Sequence, residues 1–279
     1  MRVWANGTIL GEATEPVLSV FDHGLTVGDG VFETVKTVDG RPFALRRHLE
    51  RLAASAKGLG LPDPDLELVR EAVAAVLGGP PAPLGRLRIT LTAGPSPLGS
   101  ERGSGPPTIV VAAGPLTSRP PTTTIATVPW RRNDLGATAG LKTTSYADNV
   151  IALAYAGERG AAEAIFANTA GRLCEGTGSN VFYVRDGRLL TPTLQSGCLA
   201  GVTRALVLEW CAETLDREVS EVDEPLDVLE SADEIFLAST TRDVQAVDCC
   251  DGRELVAPGP VTAAVQEIWS TRAAADIDP

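Results

Sequence analysis

The spacing of apolar and polar positions changes period repeatedly along the chain, and each change marks an element. Residues 2–10 predict a short strand that turns at Asn6-Gly7. Val31-Phe32-Glu33-Thr34-Val35-Lys36 alternates, so 31–38 is predicted as a strand, turned back by Asp39-Gly40 into 42–45 as a hairpin. Between 48 and 59 the period lengthens to that of a helix, with Leu49, Leu52, Ala53 and Ala56 on one stripe and Pro62 beyond its end. A second helix is predicted over 64–77. Residues 85–93 alternate again, 94–107 is a loop rich in Gly, Pro and Ser, and 108–113 has the continuous apolar character of a buried strand.

Pro115-Leu116-Thr117-Ser118-Arg119-Pro120-Pro121 is the best candidate for a linker, because adjacent prolines stiffen the chain and end regular structure. The expected organisation is a small N-terminal α/β domain over 1–116, a linker over 117–122 and a C-terminal domain over 123–279. In the latter, strands are predicted at 123–130, 163–168, 173–184, 188–190 and 234–247. Helices are predicted at 147–159, 202–215 and 261–272. The fold class is mixed α/β, without an internal repeat.

Composition narrows the function. The chain has 279 residues, enough for one large or two medium cores, and aromatics are sparse at 5%. A formal charge of −12 argues against a nucleic-acid or anionic-membrane surface, although local arginines can still hold a small anion. Cys174, Cys198, Cys211, Cys249 and Cys250 are odd in number and lack Cys-x-x-Cys spacing, and there are two histidines, so neither a disulfide framework nor a zinc site is expected. With no apolar signal core or membrane-length run, the expectation is a soluble cytoplasmic protein.

Only three lysines occur, Lys36, Lys57 and Lys142. Lys57 falls on the polar side of the 48–59 helix, and the neighbours of Lys36 do not indicate an enclosed site. Lys142 lies in Ala137-Thr138-Ala139-Gly140-Leu141-Lys142-Thr143-Thr144-Ser145-Tyr146, where small, apolar and hydroxyl neighbours would partly desolvate an ammonium and lower its pKa. It is the candidate amine nucleophile.

Other candidates each carry a plainer alternative. Gly201-Val202-Thr203-Arg204 at a helix start exposes backbone N–H groups to an anion, or is an ordinary capped helix. Ser239-Thr240-Thr241 ends a strand as a hydroxyl cluster or a polar terminus. Glu175, beside Gly176 and Gly178, can approach a ligand closely or be a solvated hairpin carboxylate, and the missing further glycine rules out a dinucleotide fingerprint. Arg51 is a ligand or a surface helix residue. Arg86 and Arg88 share the strand face opposite Leu87, Ile89 and Leu91, where Arg88 can take a carboxylate or face solvent.

The order of these segments resembles the fold-type IV pyridoxal-phosphate enzymes, which include branched-chain and D-amino acid aminotransferases and 4-amino-4-deoxychorismate lyase. The resemblance spans about residues 2–270. It rests on Phe21-Asp22-His23-Gly24, Gly28-Asp29-Gly30-Val31-Phe32-Glu33-Thr34, His48-Leu49-Glu50-Arg51-Leu52, Gly140-Leu141-Lys142, Glu175-Gly176-Thr177-Gly178-Ser179-Asn180-Val181-Phe182 and Leu199-Ala200-Gly201-Val202-Thr203-Arg204. It implies a smaller N-terminal α/β domain, a larger β-rich C-terminal domain, pyridoxal 5'-phosphate held between them, and a homodimer.

By that resemblance Lys142 forms the Schiff base and shuttles the substrate Cα proton, and Glu175 pairs with the pyridine nitrogen. Arg51, Val202, Thr203 and Thr240 hold the phosphate, Gly201 and Ser239 also line the cofactor, Tyr146 approaches the phenolic oxygen, and Phe32, Arg88 and Thr241 meet an amino acid-like anionic substrate. Phe32 stands where D-amino acid aminotransferases carry tyrosine, and Pro97-Leu98-Gly99-Ser100 lacks their Arg-x-His motif. Arg86 replaces a tyrosine of the branched-chain enzymes. The implied reading is therefore an aminodeoxychorismate lyase, with an amino acid aminotransferase as the alternative and a non-catalytic relative as a third.

Overall fold

Asn6 and Gly7 take positive φ of 44° and 97°, which lets β1 (Arg2–Ala5) reverse into β2 (Thr8–Ile9). The short α1 (His23–Thr26) precedes β3 (Gly30–Val38), and Asp39-Gly40, both at positive φ, turn β3 into β4 (Arg41–Pro42). Two helices follow, α2 (Leu45–Leu59) and α3 (Leu66–Leu77). The second begins at Leu66 rather than at 64 because the Asp65 carboxylate caps it, accepting from the N–H groups of Glu67 and Leu68 at 3.1 and 3.0 Å. Strands β5 (Leu84–Thr92) and β6 (Thr108–Pro115) complete an antiparallel sheet of order β2-β1-β6-β5-β3-β4.

This computed structural model describes residues 1–12, 14–215 and 219–279. The chain divides into two compact units, and the sheet above belongs to the first, formed by Met1–Ser118, Leu141–Ser145 and Ile277–Pro279. Alternation along its strands sorts the residues into two faces. Val31, Val35, Leu87, Ile89, Leu91 and Val111 pack against Leu49, Leu52, Val69, Val73 and Val76 of the helices. Burying each of these side chains contributes on the order of 1.5–3 kcal/mol. The opposite face carries Phe32, Thr34, Lys36, Arg86, Arg88 and Thr90, since Arg88 pairs with Thr34 and Thr90 with Phe32 across β3 and β5.

The second unit comprises Arg119–Gly140 and Tyr146–Asp276. Its strands are β7 (Thr122–Arg132), β8 (Glu163–Asn168), β9 (Leu173–Gly176), β10 (Asn180–Arg185), β11 (Arg188–Pro192), β12 (Val219–Val222), β13 (Glu234–Ser239), β14 (Asp243–Cys250) and β15 (Arg253–Glu254). They run in the order β12-β11-β10-β13-β14-β7-β8-β9, with β15 on β14. The helices are α4 (Ala147–Gly157), α5 (Val202–Thr214), α6 (Val228–Ser231) and α7 (Pro260–Ala275). Parallel pairing of β7 with β8 needs a crossover, which α4 supplies while burying Ala152 and Ala156 over Ala126, Val128 and Phe166.

Three expectations shift. The predicted strand over 173–184 is two strands, and the strand region over 234–247, ended in part at Ser239-Thr240-Thr241, is a hairpin closed by the Arg242 N–H on Ser239 O at 3.1 Å. Leu141–Ser145, expected in the C-terminal domain, belongs to the first unit. The cause is backbone pairing: β4 covers only the far end of β3, and the exposed edge at Gly30–Phe32 takes this segment as a short antiparallel neighbour. Ile277–Pro279 also joins the first unit, through the Ala44 N–H on Ile277 O at 2.7 Å.

Candidate active site

The edge pairing fixes Lys142. Its carbonyl accepts from Phe32 N–H at 3.0 Å, and its N–H donates to Ser55 Oγ on α2 at 3.2 Å. Two residues on, Thr144 N–H reaches Gly30 O at 2.8 Å, and Leu141 fills the space over Gly58, where a Cβ would come within 2.6 Å of it. With its backbone held from both sides, the Lys142 side chain lies over the Phe32 ring, Nζ being 4.5 Å from the centroid. The guanidinium of Arg88 also lies over that ring, at 3.7 Å, while its Nε donates to Thr90 Oγ1 at 3.3 Å. The structure thus brings Lys142, Phe32 and Arg88 together. Lys36, whose neighbours gave no sign of enclosure, is buried on the same sheet face, its Nζ 5.3 Å from the Phe43 ring. Lys57 is exposed, as its helical position predicts.

Arg51 stands one helical turn before Ser55, with its side chain 13% exposed, so the surface reading is wrong. Its Nε and Nη2 grip both oxygens of Glu33 at 2.8 and 2.7 Å, and His48 Nδ1 meets Glu33 Oε2 at 2.7 Å. Glu33 is completely buried. Burial alone would raise its pKa, but the charge and hydrogen bonds of Arg51, with those of His48, override it and lower the value to about 2. Burial outweighs the Glu33 contact for His48 and holds its pKa below 6.5. Sequence spacing did not reveal that Arg51 and Glu33 form a fork-to-fork pair, although both lay in the quoted motifs.

In the second unit β9 carries Glu175 next to its last residue, and the side chain is 14% exposed, so it is no solvated hairpin carboxylate. Its Oε2 accepts from Leu199 N–H at 2.9 Å, and Arg132 Nε stands 3.5 Å from Oε1. Arg132 lies on the Phe166 ring at 4.2 Å and donates to Asn149 Oδ1 at 2.7 Å, which keeps its cation beside Glu175. Arg132 is a charged residue that the sequence pattern did not single out, because nothing local to β7 indicates its distant partner.

Leu199 leads directly to α5, whose N-cap residue Gly201 makes no side-chain cap. A Cβ at Gly201 would fall 2.0 Å from Asn180 Oδ1, so glycine is required by close approach here. Asn180 also seats the segment through Nδ2 to Leu199 O at 2.9 Å, and it pairs with Ala238 across β10 and β13. The Ser239-Thr240-Thr241 turn therefore follows the strand end beside Asn180. One edge of this sheet gathers Glu175, the uncapped N-terminus with Gly201, Val202 and Thr203, and three hydroxyl residues. Tyr146 stands in the same unit at the N-cap position of α4.

These residues fit a small heterocycle carrying a ring nitrogen and a phosphate. A carboxylate that accepts from a backbone N–H and lies beside a guanidinium suits a protonated ring nitrogen. An uncapped helix start with partial positive charge suits a phosphate.

Comparison with known proteins agrees. Residues 30–249 match the profile of the family described as amino-transferase class IV. A putative branched-chain-amino-acid aminotransferase of Methanocaldococcus jannaschii is 35% identical, over 91% of this chain and 89% of that protein. A bifunctional aminodeoxychorismate lyase / D-amino acid transaminase of Mycobacterium tuberculosis is 32% identical, over 75% of this chain and 77% of its own length. Among solved structures, a branched-chain aminotransferase from Thermoproteus uzoniensis with norvaline superimposes with a TM-score of 0.89 at 29% identity, covering 97% of this chain and 93% of the other. The chain belongs to the class IV aminotransferase family. Its architecture is that of the fold-type IV transaminases, and enzymes of this family use pyridoxal 5'-phosphate.

Proposed function

We propose that the protein is a lyase that cleaves 4-amino-4-deoxychorismate to 4-aminobenzoate and pyruvate. The observation that carries this reading is the cation-bearing face of β3 and β5. There the Phe32 ring lies under Arg88 and Lys142 in a face that also bears Lys36 and Arg86. A flat unsaturated ring bearing two carboxylates complements an aromatic surface with several cations better than an aliphatic amino acid does.

In this reading Lys142 is the amine that holds the cofactor and then carries the proton removed from the substrate Cα. Bound pyridoxal phosphate supplies an electron sink for the charge left on that carbon. Glu175, kept in place by Leu199 N–H and Arg132, accepts a hydrogen bond from the ring nitrogen and keeps it protonated. Gly201, Val202, Thr203, Ser239, Thr240 and Arg51 receive the phosphate, Tyr146 the phenolic oxygen, and Phe32, Arg88 and Thr241 the substrate. Expulsion of the enol ether side chain as pyruvate consumes no amino acceptor, which separates the lyase from a transaminase.

A second reading, amino acid transamination of the branched-chain type, is favoured by the names of the M. jannaschii and T. uzoniensis relatives. The deciding experiment supplies aminodeoxychorismate without any 2-oxo acid, beside a panel of L- and D-amino acids with one. Release of 4-aminobenzoate and pyruvate in equal amounts supports the lyase. Turnover confined to L-amino acids with an acceptor replaces it by the second reading.

We also propose a homodimer. Helix α4 presents Val150 at 65%, Ile151 at 54% and Leu153 at 43% exposure, an apolar surface that a second copy would cover. A cytoplasmic location accords with five cysteines present as free thiols.

A further inference from the structure

The buried pair of Glu163 and Arg242 takes no part in the roles assigned above, yet it stands directly behind two of the turns that carry them. Glu163 opens β8 and is 2% exposed. Its Oε1 accepts from Thr177 N–H at 3.0 Å, from Ala164 N–H at 3.1 Å and from the Thr177 hydroxyl. Its Oε2 accepts from Ser179 Oγ at 3.0 Å and from Arg242 Nη2 at 3.3 Å. The Thr177 and Ser179 donors come from the turn that begins one residue after Gly176 and ends beside Asn180. Gly176 itself lies against the carboxyl group, since a Cβ there would come within 3.2 Å of Glu163 Cδ and 2.6 Å of Ser179 Oγ.

Arg242 joins this group from the other turn. It closes the Ser239–Arg242 turn through its own N–H, and its side chain, 5% exposed, donates to Ala162 O at 3.1 Å and Gln245 Oε1 at 2.5 Å as well as to Glu163. Thr177 O meanwhile accepts from Asn149 Nδ2 at 2.6 Å, and Asn149 holds Arg132, the cation beside Glu175. A continuous polar network therefore runs from the hydroxyl turn to the carboxylate, with no water-exposed link at Glu163.

We propose that Glu163, through Arg242, is a positioning residue that couples the Glu175 turn to the Ser239-Thr240-Thr241 turn, so that recognition of the cofactor's ring nitrogen and of its phosphate are energetically interdependent. This rests on the cofactor reading above. The physical reason is the acceptor count. The two hydroxyls can turn to accept, but glutamine at 163 would still set an NH2 group against the Arg242 guanidinium in one orientation and against the Thr177 and Ala164 N–H groups in the other. The clash is buried, so one or both turns must shift to relieve it.

The test is a double-mutant cycle on the apoenzyme, reading the dissociation constant for pyridoxal phosphate by equilibrium titration, with thermal melting of each apoprotein in parallel. The four proteins are wild type, Glu163→Gln, Thr240→Ala and the double variant. Glu163→Gln is expected to weaken binding by about 10- to 100-fold, and Thr240→Ala to cost much less in the Glu163→Gln background than in the wild type. Effects that multiply to within about twofold would mean independent turns and would overturn the coupling. So would unchanged affinity in Glu163→Gln. If that variant fails to melt cooperatively, Ser179→Ala, which deletes one donor to Glu163, takes its place in the same cycle with the same outcomes. Failure of wild-type protein to bind the cofactor at all would instead sink the underlying reading, a result distinguishable from additivity.

Discussion

Replacing Arg51 by alanine removes the fork that neutralises Glu33 and leaves a carboxylate buried against His48. The size of the effect follows from the titration of Glu33. Its pKa falls from 4.5 in an unfolded chain to about 2 in the fold. At roughly 1.4 kcal/mol per pH unit this corresponds to about 3 kcal/mol of stability. No discount for solvent screening applies, because Glu33 is fully buried. A folded pKa below the unfolded one gives stability that is present above pH 4.5 and lost as pH falls towards about 2. His48, also depressed, acts in the same direction, beginning as pH falls below 6.5. Arg51→Ala should destabilise the apoprotein by about 3–5 kcal/mol at neutral pH, a fall of roughly 5–9 °C in melting temperature. It should also move the acid-unfolding midpoint upward, because burial then dominates the Glu33 carboxyl. Urea and thermal unfolding of apoprotein across pH measure both. A loss below about 1 kcal/mol with an unmoved acid limb would refute the reasoning. Cofactor titration separates the second role: Arg51→Ala should weaken cofactor binding more than Glu33→Gln, which keeps the guanidinium.

Lys142→Ala should abolish the visible absorbance of the lysine-bound cofactor while leaving apoprotein stability near wild type, and a retained band would relocate the anchor. Gly201→Ala should cost about 1–3 kcal/mol and weaken cofactor binding, because the new methyl group must displace Asn180 from 2.0 Å away. Equal melting and equal affinity would show that the approach is not tight. Light scattering of the wild type should give twice the 29.1 kDa chain mass, and Ile151→Glu should shift it towards one. A wild-type monomer would remove the proposed interface.

The sequence by itself determined most of the elements and nominated the candidate reactive groups. Alternation fixed which face of β3 and β5 is apolar, because period two leaves no other way to bury Val31, Val35, Leu87 and Ile89 together. Scarcity narrowed the candidate amine: with three lysines, the surroundings of each could be weighed. The run of motifs from Phe21 to Arg204 identified the family before any distance was known. Local spacing could not supply partners that come from remote segments. The pairing of Arg51 could not be read locally because Glu33 is 18 positions away on a strand, and the burial of Lys36 was hidden for the same reason. Arg132 meets Glu175 across β7, β8 and β9, and Arg242 meets Glu163 at 79 positions' separation. The placement of Leu141–Ser145 in the first unit likewise depended on an unpaired strand edge. Such an edge exists only once the sheet has formed, and its open N–H and C=O groups accept whatever segment tertiary folding brings there.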